Sequence, residues 1–256
     1  MTRIIVYNIE YEEGLVGHWY DYLKIWKIFF PPPKLNQKLI DFFKKLKPDI
    51  LALIEVDKGS FRTKYKDIPQ LIEHKLNFTS LVDWVKYPFV SFLRLFHFAP
   101  ILSNQSNALM SKYKLYDVRH HLFKEGTKRS VIEASVDCPK KLTLLVAHLA
   151  LGGKTREKQL DELAKIVKNI KNEVILLGDF NTFHGVHELD KLIRNTHLID
   201  TAKLDYSKIK FTQPSWHPIR RMDYILVSKG IKVKDYEVLD AKFSDHLPVM
   251  LDFEFK

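Results

Sequence analysis

The chain has one cysteine, Cys138, in 256 residues, which excludes an intramolecular disulfide and makes a reducing, cytoplasmic setting the expected one. Its first residues run into an apolar strand and lack the charged, apolar and small-residue succession of a secretion signal. Glycine is scarce, with nine residues, and proline clusters only at Pro31–Pro33, so no stretch reads as a flexible linker. There is no internal repeat and no low-complexity tract. An uncharged apolar run able to span a bilayer is also missing, because the richest candidate, Leu81–Phe98, is broken by Asp83, Lys86, Pro88, Arg94 and His97. A hydrophobic share of 46% is normal for a sizeable core. Candidate polar residues spread from Asn8 to His246, so a single domain over residues 1–256 is expected.

Positive charge is in excess: 41 Lys and Arg stand against 31 Asp and Glu, a net +10. That balance favours an anionic partner, either nucleic acid or an anionic membrane surface, and it also serves solubility. Nothing points to an obligate protein partner, and a monomer is expected. Two segments are dense in aromatics with interleaved basic residues, Gly14–Phe30 and Leu81–Phe98. Each reads either as helix or strand packed on the body through its rings, or as a surface facing substrate or membrane.

The stretch around which the chain is organised is Val174–Asn181, VILLGDFN. Four apolar residues are too few for a helix and fit a strand buried on both faces. Gly178 ends it, and Asp179 and Asn181 follow at its mouth. Alone, Asp-x-Asn after a strand is more often a turn than a holder of water or metal. The company it keeps changes that. Apolar runs of strand length lie beside polar residues at Arg3–Asn8, Asp49–Asp57, Leu142–Leu149, Arg221–Ser228 and Phe243–Val249. Gln105–Ser111 leads into another short strand, and further strands are expected at Arg129–Val136 and Leu247–Phe255. Helical spacing marks Lys34–Leu46, with Leu35, Leu39, Phe42, Phe43 and Leu46 on one face. Helices are also expected at Ile68–Leu76, from Thr155 through Val167, and at His187–Arg194.

With these motifs in order, the sequence resembles the endonuclease/exonuclease/phosphatase superfamily. The resemblance rests on Asn8, Glu55, Asn107, His148, GDFN at Gly178–Asn181, MDY at Met222–Tyr224 and SDH at Ser244–His246. It implies an α+β fold, a four-layer α/β/β/α sandwich of two mainly antiparallel sheets packed face to face with helices outside. It also implies a magnesium-dependent phosphodiester hydrolase, with Mn²⁺ as an alternative ion, since a hard cation takes oxygen ligands and keeps several waters. On the metal side the resemblance puts Glu55, Asn8 and Asp245. Asp223 orients His246 for acid–base work, Asp179 handles the attacking water, Asn181 and His148 donate to the phosphate, and Asn107 and Arg129 contact the substrate. Ile54 stands where apurinic-site endonucleases of the superfamily carry Gln, and His148 where they carry Tyr. A histidine there is similar to the pancreatic deoxyribonuclease and sphingomyelinase branches. A nuclease is the leading expectation, a lipid-directed phosphodiesterase or phosphatase at a membrane surface the alternative, and a non-catalytic binding module the third.

Overall fold

The computed structural model describes residues 1–10, 34–85, 104–126, 128, 130–204 and 211–256. Gly14–Phe30, the part of Leu81–Phe98 beyond Val85, and Arg129 lie outside the described residues. Within them, one six-stranded sheet contains β1 (Thr2–Asn8), β2 (Ile50–Asp57), β3 (Ser80–Val85), β4 (Gln105–Ser111), β11 (Ile231–Val238) and β12 (Val249–Phe255), in the order β11-β12-β1-β2-β4-β3. The other contains β5 (Leu115–Leu122), β6 (Ser130–Asp137), β7 (Lys141–His148), β8 (Glu173–Asp179), β9 (Ile199–Asp200) and β10 (Asp223–Val227), in the order β5-β6-β7-β8-β10-β9. Only β1–β2 and β7–β8 pair in parallel. The remaining pairs are antiparallel.

Alternation along each strand divides the apolar residues among three interfaces. Ile4, Val6, Ala52, Ile54, Leu144, Val146, Ile175, Leu177 and Ile225 pack between the sheets. The opposite side of the first sheet, with Ile5, Tyr7, Leu51 and Leu53, is covered by α1 (Leu35–Leu46) and α2 (Ile68–Leu76). Leu145, Ala147, Leu176 and Leu226 of the second sheet meet α3 (Gly153–Lys168) and α4 (Asp190–Thr196). These interfaces make the four-layer α/β/β/α sandwich, and they explain why the central strands read as unbroken apolar runs rather than as alternating ones. In α2, Pro69 takes the first turn and Asp67 caps it, accepting from Gln70 N–H at 3.0 Å.

Two longer strands escape the pattern, β5 and β11, and both are sheet edges. β5 is mostly exposed, so its sequence LYDVRHHL carries no apolar face. In β11 a bulge between Val233 and Asp235 interrupts the alternation. The expected helix at His187–Arg194 divides into a short 3₁₀ turn, Val186–Leu189, and α4. None of the described helices is long and apolar enough to cross a membrane.

Candidate active site

Both parallel strand pairs end at the same edge of the sandwich. His148 and Asp179 are register partners at the ends of β7 and β8, and Asp223 at the start of β10 is the antiparallel partner of Asp179. Gly178 is demanded by this packing: it has φ +147°, and a Cβ there would sit 1.8 Å from the Ala147 carbonyl oxygen. From the other sheet, Asn8 reaches across and donates through Nδ2 to Asp179 Oδ2 at 2.9 Å. Glu55 adopts a left-handed backbone, φ +58°, where the β2–β4 register shifts between Leu53 and Val56. The bulge aims its carboxylate at the second sheet, with Oε1 3.7 Å from His148 Nε2 and 3.3 Å from Lys128 Nζ. Glu55 N–H donates to Asn107 Oδ1 at 3.2 Å. Asn107 Nδ2 is buried and has no hydrogen-bond partner among the described residues.

His246 joins from the segment before β12. Its Nδ1 is 2.8 Å from Asp223 Oδ2, while Nε2 stands 3.8 Å from Asp245 Oδ1 and 4.0 Å from Asp179 Oδ2. Burial works against the imidazolium, but Asp223, Asp245 and Asp179 outweigh it and hold the His246 pKa well above its ordinary value. Burial, reinforced by Asp223 and Glu55 against His246 and Lys128, pushes the Asp179 carboxyl up to about 6. Donor atoms of Asp179, Asp223 and His246 lie within 4.8 Å of one another. Asp223 Oδ2 already holds His246 Nδ1 at 2.8 Å, so that pair has fewer free donor atoms to offer an ion. Beside it, Glu55, Asn8, Asp245 and Glu10 offer oxygen atoms, the donor type that a hard cation takes.

The sequence model of the Endonuclease/Exonuclease/phosphatase family matches residues 7–246. The chain belongs to this family. Among curated proteins it is similar to UPF0294 proteins of Yersinia pseudotuberculosis and Yersinia pestis, each 23% identical over 158 residues. The match takes in 60% of the chain and 51% of the relative, so the chain spans about half the length of these relatives. Among solved structures it is similar to the human nocturnin catalytic domain with bound sulfate, at TM-score 0.71 and 21% identity over 100% of this chain and 93% of that one. A mannosyl-6-phosphatase of Bacteroides thetaiotaomicron gives TM-score 0.71 and 14% identity, with 100% of each chain covered. At such identities the likeness is one of fold. Family members hydrolyse phosphoric esters with a divalent metal ion, and the chain carries that metal-dependent phosphoesterase fold.

In this family member the residues singled out by sequence, Asn8, Glu55, Asn107, His148, Asp179, Asn181, Asp223, Asp245 and His246, are all brought to one end of the sandwich. Asn181 forms the turn that Asp-x-Asn suggests. Its N–H donates to Asp179 Oδ1 at 3.0 Å in an Asx turn, and its Nδ2 donates to Leu149 O at 2.9 Å and toward Asp179 Oδ2 at 3.3 Å. A donor role to phosphate therefore requires one of these bonds to open.

Three residues outside the motif set join the site. Glu10 accepts the Asp245 N–H at 3.3 Å and donates its own N–H to Asn8 Oδ1 at 3.0 Å. The sequence marks it by the Asn8-x-Glu10 spacing, the same as in Asp179-x-Asn181. Gln213 Nε2 donates to Asp245 Oδ2 at 3.1 Å and lies 3.4 Å from His246 Nε2. Lys128, at Glu55, belongs to a connection without a motif.

Proposed function

We propose that the protein is a Mg²⁺-dependent phosphodiester hydrolase acting on DNA or RNA, working as a monomer in a reducing cell interior. The observation that carries this reading is the Asp223–His246 pair at 2.8 Å with Nε2 turned toward Asp179 Oδ2 across 4.0 Å. One oxygen atom can stand within hydrogen-bond reach of both, a proton donor on one side and an acceptor on the other. Asp223 fixes the tautomer of His246 and steadies its imidazolium, which donates from Nε2 to an oxygen of the phosphate or to the departing ester oxygen, released as the alcohol. Asp179, with its carboxyl near 6, orients the attacking water and takes its proton as the new P–O bond forms and the ester P–O bond breaks. His148 faces the same space from β7, and Asn107 offers its open Nδ2 to a phosphate oxygen. Glu55, with Asn8 and Asp245, would hold a divalent ion, which would supply charge neutralisation at the transferring phosphoryl group. Arg129 completes the substrate contacts in this proposal.

The nucleic-acid preference is supported by the net +10 charge. It is tested by offering the purified protein single- and double-stranded DNA, RNA, bis-nitrophenyl phosphate and phospholipid vesicles in parallel with Mg²⁺. Turnover of DNA or RNA well above that of vesicles is expected, with binding that weakens steeply as salt is added. Preferential turnover of vesicle lipid assigns the protein to the lipid-directed alternative instead.

A further inference from the structure

Lys128 has no place in the motif set, yet it reaches the centre of the site. Its ammonium lies 3.3 Å from Glu55 Oε1, and the side chain is 17% exposed. The backbone that carries it is anchored rather than loose. Gln159, fully buried on α3, donates to the carbonyls of Glu125 at 2.9 Å and Lys128 at 2.8 Å. The same side chain accepts the N–H of Ala150 at 2.8 Å, two residues beyond His148. Gly126 sits so close to it that a Cβ would come within 2.7 Å of Gln159 Nε2. A buried carboxamide thus fixes the Lys128 backbone and the His148 loop together, and the lysine stem crosses from the second sheet to Glu55 of the first.

Glu55 is also the carboxylate given above to the divalent ion, so this inference rests on that reading. An ammonium and a divalent cation on one carboxylate repel each other strongly in a site of low solvent content. We infer that Lys128 is a phosphate-contacting catalytic residue, held by Glu55 until a divalent ion takes that carboxylate and then turned to the substrate phosphate. Lysine binds phosphate as a point charge on a flexible stem, which suits a group that exchanges one anion for another. Metal and phosphate binding are then coupled through a single side chain, and the coupling is reciprocal.

Calorimetry on the full chain tests this, with Mn²⁺ alone and with inorganic phosphate added to the Mn²⁺-loaded protein. Lys128→Gln is expected to tighten Mn²⁺ binding in phosphate-free buffer by at least about threefold, because the competing ammonium is gone. The same variant is expected to weaken phosphate binding by about tenfold or more, and Lys128→Arg to restore most of it. Mn²⁺ binding to Lys128→Gln that is no tighter than wild type, or phosphate binding that is unchanged, overturns the proposal. If the wild-type protein binds Mn²⁺ and only the variant comparison fails, the error lies with Lys128. If the wild-type protein binds no Mn²⁺, the metal assignment fails and Lys128 falls with it.

Discussion

Asn8 and Asp179 are joined by a hydrogen bond of 2.9 Å that runs from one sheet to the other. Each residue ends a strand whose parallel neighbour also leads into the site, β2 toward Glu55 beside Asn8 and β7 with His148 beside Asp179. The spacing between the metal side and the acid–base side is therefore set by how the two sheets pack. Sites built on strand ends hold their geometry better than sites built on loops.

Gly178→Ala tests that dependence. The added methyl group meets the Ala147 carbonyl oxygen at 1.8 Å, so the β7–β8 pairing has to open. We expect a loss of about 4 kcal/mol or more in unfolding free energy, measured by denaturant titration against wild type. A variant of wild-type stability contradicts the close approach.

Glu55→Gln is expected to keep the fold and weaken the response to Mg²⁺, since a neutral oxygen replaces a charged one at a partly exposed bulge. The measurement is activity against Mg²⁺ concentration. An unchanged activation curve removes Glu55 from the metal side.

The raised carboxyl of Asp179 sets a pH dependence. Its ordinary value is 3.8 and its value in the fold is about 6. Between the two, the native protein keeps a proton that the unfolded chain has released, so this group makes metal-free stability fall as pH rises through that window. His246, raised above its usual value, acts with the same sign: its contribution is present below the unfolded pKa and is lost as pH rises through the folded one. A divalent cation favours ionised carboxylates and works the other way. The gain in Tm on adding Mg²⁺ should be clearly larger at about pH 7 than at about pH 5, and an equal gain at both contradicts the coupling.

Much of this architecture is legible in the sequence because the central strands are buried on both sides. VILLGDFN at β8 and DILALIEVD at β2 announce strand and polar terminus together. β5 and β11 are illegible for the complementary reason, being sheet edges with exposed or bulged sequences. The site residues at strand ends could be read through their motifs. Lys128 and Gln213 could not, because they arrive from connections whose course depends on tertiary contacts such as Gln159 with the Lys128 carbonyl.

Cys138 reports on the intact core. Burial pushes its thiol up to about 12, leaving roughly one part in ten thousand as thiolate at pH 8. Native protein should stay unmodified by a thiol reagent over a period in which unfolded protein reacts fully. Rapid reaction of the native form contradicts the packing between the sheets that surrounds it.

The proposed chemistry depends most directly on the pairing of Asp223 with His246. It is measured by single-turnover cleavage kinetics, under saturating Mg²⁺, for wild type, His246→Ala, Asp223→Asn and the double variant. Each single change should cost on the order of a hundred- to ten-thousand-fold, and the double variant should be little worse than His246→Ala, because Asp223 has no further task in the chemical step once the imidazole is gone. Losses that multiply in the double variant, or cleavage that survives His246→Ala, contradict it.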